Sequence, residues 1–163
     1  MNILITGVPG TGKSEISKEL AKKLKLKVIN DKEFAKKNNL GKEKKIDSSK
    51  EYVVNLRKLN TCFKNKKEDA IYEGHLWSEL SKENLNSFDY IFILKASKKI
   101  LLERQKKRKY PEIKIVENIF CQDINYIPEL LKEKSTSFKI IKVDNNLKEN
   151  LSKIMVKIKW LEH

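Results

Sequence analysis

Residues 7 to 14 read Gly7-Val8-Pro9-Gly10-Thr11-Gly12-Lys13-Ser14, matching the pattern G-x-x-x-x-G-K-[ST] at every constrained position. The spacing has a chemical reason. Gly7, Gly10 and Gly12 permit a tight turn in which successive backbone N–H groups point inward at phosphate oxygens. A helix starting at Lys13 adds the partial positive charge of its N-terminus. Lys13 then reaches the β- and γ-phosphates, and the Ser14 hydroxyl is placed to ligate Mg²⁺. The chemistry predicted is binding of ATP or another nucleoside triphosphate, with phosphoryl transfer.

Two further groups of residues suit that chemistry. Of the 36 basic residues, only Arg57, Arg104 and Arg108 are arginine. Arg104 and Arg108 lie four apart, so on a helix they share a face and can converge on one anion. Arginine's planar fork suits phosphate, whereas a solvated helix end would tolerate lysine equally. On a short mobile lid such arginines stabilise the charge of a transferring phosphoryl group. The second group is Glu73-Gly74-His75, closing the apolar run Ala70-Ile71-Tyr72. A carboxylate at a strand end is what a Walker B position requires to hold Mg²⁺. His75 has two readings, an orienting group for water or phosphate and a hydrogen-bonded structural residue. A guanine-reading Asn-Lys-x-Asp is missing, since Asn65-Lys66-Lys67-Glu68 lacks the Asp, which counts against a GTPase.

The elements that must position these residues alternate. Strands are predicted at Asn2–Thr6, Lys27–Ile29, Ala70–Glu73, Tyr90–Leu94 and Ile140–Val143. Helices are predicted from Lys13, near Asp31, near Ser48, from Ser97, from Pro111 and near Asn146. Such alternation argues for an α/β fold with a parallel sheet wrapped by helices. Leu147, Leu151, Ile154, Ile158 and Leu161 form one apolar stripe to lay on the sheet. Pro111 suits a first helical turn, and Pro128 is expected to end or kink its helix after Tyr126. Segments 41–50 and 64–69 read as polar, Lys-rich loops or helix ends.

The 163 residues suit one domain with one core. Cys62 and Cys121 match no metal spacing or disulfide framework, as in a reducing compartment. No signal peptide or membrane-spanning run is evident, so a cytoplasmic location is expected. The formal net charge of +14 suits a protein that meets polyanions, and equally a Lys-rich surface set by genome composition or heat.

Taken together, the residues resemble the adenylate kinase isoenzyme 6 family, also called the coilin-interacting nuclear ATPase family, with its archaeal relatives. The resemblance runs along nearly the whole chain. It rests on Ile5 through Ser14, Val28-Ile29-Asn30, Glu73-Gly74-His75, Glu103-Arg104 and Arg108-Lys109-Tyr110, then Asn118, Cys121 and the tail Ile158-Lys159-Trp160-Leu161-Glu162. The acid-x-His element and the Arg-x-x-x-Arg-x-Tyr segment are far more specific in combination than the P-loop alone.

The resemblance implies a nucleoside monophosphate kinase-like P-loop NTPase fold, three layers around a five-stranded parallel sheet. It implies one domain over 1–163, with a monophosphate-binding subdomain at 30–53 and a short lid at 107–117. The implied activity is broad-specificity adenylate kinase using ATP and Mg²⁺, with ATP hydrolysis. The implied partners are AMP or another monophosphate, a small-subunit platform ribosomal protein and the pre-ribosomal particle, with rRNA nearby, in cytoplasm and, in a eukaryote, nucleus. Implied catalytic residues are Lys13, Arg104, Arg108 and His75. Nucleotide contacts fall to Gly7, Gly10, Thr11, Gly12, Lys13, Ser14, Glu15 and Arg108, and Mg²⁺ to Ser14 and Glu73. The chain departs from the family at Glu73, usually Asp, at Glu15, commonly Thr, and at Lys36, near a position often Arg.

Overall fold

A computed structural model describes residues 1–46 and 49–159. The chain runs β1 (Asn2–Thr6), α1 (Lys13–Leu24), β2 (Lys27–Asn30), α2 (Asp31–Lys37), β3 (Gly41–Ile46), β4 (Ser49–Val54) and α3 (Leu56–Lys66). It continues through β5 (Ala70–Glu73), a 3₁₀ turn (Leu76–Glu79), α4 (Lys82–Leu85), β6 (Tyr90–Ala96) and α5 (Lys98–Lys107). The last elements are α6 (Glu112–Asp123), α7 (Tyr126–Glu133), β7 (Lys139–Val143) and α8 (Leu147–Lys159).

Five strands form one parallel sheet in the order β2-β5-β1-β6-β7. All five predicted strands are present. The chain leaves central β1 toward one edge, returns through β5 at its side, and only then builds the opposite half. That reversal leaves a crevice at the carboxyl ends of the strands, where α/β folds bind ligands.

Strand pleating explains the two-sided core. Along β1, Ile3 and Ile5 face one layer and Leu4 the other, as the period of two requires. Ile3 and Ile5 pack with Ile16 and Leu20 of α1 and Leu151, Ile154 and Ile158 of α8. The predicted stripe of α8 is therefore the buried face; its Leu161, like the tail residues Trp160 and Glu162, lies outside the described residues. Across the sheet, Leu4 joins Phe63, Tyr72, Trp77 and Phe88. Phe63 meets Tyr72, Trp77 and Phe88 at centroid distances of 5.3, 5.7 and 5.4 Å. Each such buried side chain contributes about 1.5–3 kcal/mol through removal from water.

Three local expectations change. The stretch read as polar loop is an antiparallel hairpin, with Lys44 opposite Glu51 and Gly41 opposite Val54. Its register sets Lys44 against Glu51, a favourable cross-strand pair, and Lys45 against Lys50, and Tyr52 Oη accepts from the Gly41 N–H at 2.9 Å. The helix expected near Ser48 starts later among the described residues: Ser48 itself lies outside them, Ser49–Val54 is strand, and α3 begins at Leu56 with Asn55 as its cap. The Asn55 side chain accepts from the Lys58 N–H at 3.0 Å, satisfying a free donor of the first turn. Pro128 does not end a helix. Asn125, left-handed at φ 55°, separates α6 from α7, and Pro128 sits in the first turn of α7, where a missing N–H costs nothing.

Candidate functional site

The site begins where β1 ends. Gly7 takes φ 146°, and a Cβ there would lie 2.6 Å from the Leu94 carbonyl oxygen, so the close approach of β6 demands glycine. Thr11 is fully buried and its Oγ1 donates to the Val8 carbonyl at 2.9 Å. Lys13 Nζ lies inside the loop, donating to the carbonyls of Gly7 at 2.8 Å and Val8 at 3.0 Å. Burial depresses its pKa to about 8, against the opposing pull of the Glu73 and Asp31 carboxylates.

Glu73 ends β5 beside the loop because β5 pairs in parallel register with β1, Ile5 opposite Glu73. Its Oε1 accepts from Ser14 Oγ at 3.2 Å and its Oε2 from Asn30 Nδ2 at 2.6 Å. Ser14 and Glu73 thus present two oxygens to one point, a donor set fitted to a hard divalent cation such as Mg²⁺. Asn30 arrives from β2, the strand on the far side of β5.

The next turn carries His75. Gly74 takes φ 136°, and a Cβ there would lie 2.1 Å from Asp31 Cγ. The space is filled by the Asp31 carboxylate, which is buried and accepts from the backbone N–H groups of Leu76 at 2.8 Å and Lys32 at 2.7 Å. Asp31 therefore binds the start of α2 to the turn after β5. His75 is exposed to the cleft, yet the crowding walls lower its pKa, with Asp31 opposing and Lys13 and Lys32 adding to the fall.

The opposite wall is α5. Ser97 caps it, accepting from the Ile100 N–H at 3.3 Å. Arg104 Nη1 donates to the Gly10 carbonyl at 3.0 Å, and Nη2 to the Asp144 carbonyl at 3.1 Å and Asn145 Oδ1 at 2.9 Å. Arg108 stands one turn on, at the C-cap, lines the cleft, and makes no side-chain hydrogen bond or ion pair with the described residues. Four residues, Arg108 to Pro111, join α5 to α6, so the segment 107–117 is a tight turn and a helix start. Lys114 of α6 ion-pairs with Glu51 of the β3–β4 hairpin, joining the start of α6 to that hairpin.

These walls enclose a cleft of about 630 Å³. Gly10, Gly12, Lys13, Ser14, Glu15, Glu73, His75, Arg104 and Arg108 all line it; Gly7 and Thr11 shape the loop behind. Lys36 is not among its lining residues and stands over the Tyr52 ring at 5.8 Å. Lys32, Asp31, Lys107 and Tyr110 line the cleft without having been assigned roles from sequence. Asp31 was findable, as a carboxylate immediately beyond the carboxyl end of a parallel strand. No helix among the described residues is long and apolar enough to cross a membrane.

Known proteins show the same organisation. A protein-family profile described as an AAA domain matches residues 3–125. A protein of Methanocaldococcus jannaschii named "Putative adenylate kinase" is 33% identical over 162 residues, covering 98% of this chain and 86% of its own. The "Adenylate kinase isoenzyme 6 homolog" of Plasmodium falciparum is 28% identical, with coverage of 89% and 86%. Among solved structures, shikimate kinase from Acinetobacter baumannii superposes at TM-score 0.65 with 14% identity, covering 99% of this chain and 93% of that one. A deoxyadenosine kinase from M. mycoides superposes at 0.56 with 20% identity, covering 98% and 99%. These two share the fold. With the loop, the strand-end carboxylate and the arginine turn in one cleft, the chain belongs to the P-loop kinase family of the archaeal adenylate kinase relatives and the adenylate kinase isoenzyme 6 homologues.

Proposed function

We propose that this protein is a nucleoside monophosphate kinase that transfers the terminal phosphoryl group of ATP to AMP or a related monophosphate. The observation that carries this reading is that one cleft gathers these groups. Lys13, Ser14, Glu73 and the Asn30 bonded to it line one part of the cleft, Lys32 and His75 line it too, and Arg108 stands between α5 and α6. A cleft with cations on facing walls can hold two phosphorylated ligands end to end.

The roles follow from position. The backbone N–H groups of the loop and the Lys13 ammonium hold the triphosphate tail. Ser14 and Glu73 would hold Mg²⁺, which supplies charge neutralisation across the terminal phosphates when bound. Arg108, with no side-chain hydrogen bond or ion pair among the described residues, supplies its guanidinium to the equatorial oxygens as charge spreads there. Arg104, tied to Gly10 and Asp144–Asn145, keeps one face toward the cleft and holds the loop against α5. His75 and Lys32 meet the acceptor's phosphate. Transfer then needs alignment more than covalent chemistry.

ATP hydrolysis and a part in late small-ribosomal-subunit maturation, through a platform ribosomal protein and the pre-ribosomal particle beside rRNA, belong to the same proposal. They rest on the family resemblance, with the +14 charge as a surface suited to polyanions. A coupled assay of ATP with each monophosphate in turn tests the reading. ADP formation with AMP at least tenfold faster than hydrolysis of ATP alone is expected. Equal rates with and without every monophosphate would overturn it in favour of an ATPase switch, and phosphorylation of a hydroxyl acceptor in favour of a small-metabolite kinase.

A further inference from the structure

The helix α5 is rich in solvated lysine, yet buries one neutral amide completely. Gln105 has no exposed surface. An amide taken from water costs free energy unless both its ends are hydrogen-bonded, and both are. Gln105 Nε2 donates to the Pro9 carbonyl at 2.9 Å, and Gln105 Oε1 accepts from Asn118 Nδ2 at 2.9 Å. Pro9 belongs to the phosphate loop and Asn118 to α6, on the far side of the arginine turn.

The bond to Pro9 sets more than a carbonyl. In a trans peptide the C=O and the following N–H point in opposite directions. Holding the Pro9 oxygen toward α5 therefore turns the Gly10 N–H away from α5. That N–H has no protein acceptor among the described residues. The packing reinforces the arrangement: a Cβ on Gly10 would stand 3.3 Å from Gln105 Cγ and 3.4 Å from Leu101 Cδ2. The neighbouring Arg104 holds the next carbonyl, that of Gly10, at 3.0 Å. A leucine at 105 would fill the same volume and leave the Pro9 carbonyl unpaired.

We propose that Gln105 is a positioning residue for the phosphate-binding loop, and that through Asn118 it couples the orientation of the Pro9–Gly10 peptide to the seating of α6. The proposal rests on the loop being the ATP site. Through this relay, a displacement of α6 reaches the Pro9–Gly10 peptide by way of Gln105 and Asn118, neither of which lines the cleft.

The test compares Gln105→Leu, Asn118→Leu and the double variant with wild type, by calorimetric titration with ATP and Mg²⁺ and by steady-state kinetics. Gln105→Leu is expected to weaken ATP binding about tenfold, the loss of about 1.4 kcal/mol from one oriented donor, with the KM of the acceptor unchanged. Asn118→Leu is expected to weaken ATP in the same direction, and the double variant to be no weaker than Gln105→Leu, since both act on one peptide. Asn118→Asp keeps the size, touches no loop atom, and turns the Gln105 amide so that its oxygen faces Pro9. It serves if the leucine variants do not fold. It should move the Gly10 amide resonance and weaken ATP at least threefold. ATP affinity within twofold of wild type in all folded variants, fully additive losses, or an unmoved Gly10 resonance would each overturn the coupling. Wild-type protein taking up no ATP would instead overturn the loop assignment and this proposal with it.

Discussion

Ser14 Oγ lies 3.2 Å from Glu73 Oε1 although 59 residues separate them in the chain. The contact exists because β1 and β5 are parallel neighbours in register, which places the end of one strand beside the loop leaving the other. Removing the charge while keeping the shape tests the pair. Glu73→Gln should raise the Mg²⁺ concentration needed for half-maximal activity by about 10–100-fold, with Tm little changed. Glu73→Asp keeps the charge and should retain more activity than Glu73→Gln. Activity titrated against MgCl₂ decides between them.

Lys13 carries a pH prediction whose sign is fixed. Its pKa of about 8 lies below the ordinary 10.5 because burial disfavours the ammonium. On the proposed reading, phosphate bound beside that ammonium would raise its pKa again. ATP affinity should therefore be level below pH 8 and fall as pH rises through 8, with proton uptake on binding seen by calorimetry in buffers of different ionisation enthalpy. The same depression costs stability in full below pH 8, and the cost fades as pH rises from 8 toward 10.5. Lys13→Met should thus raise Tm at pH 7 while lowering turnover by about a thousandfold or more.

The two arginines should separate in their readouts. Arg108 makes no side-chain hydrogen bond or ion pair with the described residues, so Arg108→Ala should lower kcat by about 10²–10³-fold with little change in Tm. Arg104 holds three oxygens of two loops. Arg104→Lys should lower Tm and weaken ATP, because an ammonium cannot span both loops as the fork does. Paired thermal melts and kinetics check both.

Gly74→Ala places a methyl group where the Asp31 carboxylate sits, at a φ of 136°. It should cost at least about 2 kcal/mol of stability and reduce activity, read by urea unfolding with an unchanged m-value. Gly74→Ala combined with Asp31→Ala should recover part of the stability, since the clash is then relieved.

In the aromatic layer, Phe63 is 1% exposed and touches three other rings. Phe63→Ala should cost about 3–5 kcal/mol and leave the ATP affinity of the folded fraction unaltered, by denaturant titration and calorimetry.

The loop's form was legible in the sequence because eight consecutive residues supply it. Gly7 through Ser14 are local neighbours, and backbone geometry alone turns them into an anion seat. The five strands were legible too, because buried parallel strands read as short apolar runs. The tertiary structure alone decided what those runs bring together. Ser14 with Glu73, Asp31 with the turn at Gly74, and Gln105 between Pro9 and Asn118 are contacts across 13 to 96 residues, set by strand order that no local pattern encodes. The β3–β4 hairpin escaped for the opposite reason. Its residues are mostly charged, and their pairing is decided by cross-strand neighbours and by Tyr52 reaching back to Gly41, because strand propensity is a property of the partner as much as of the segment.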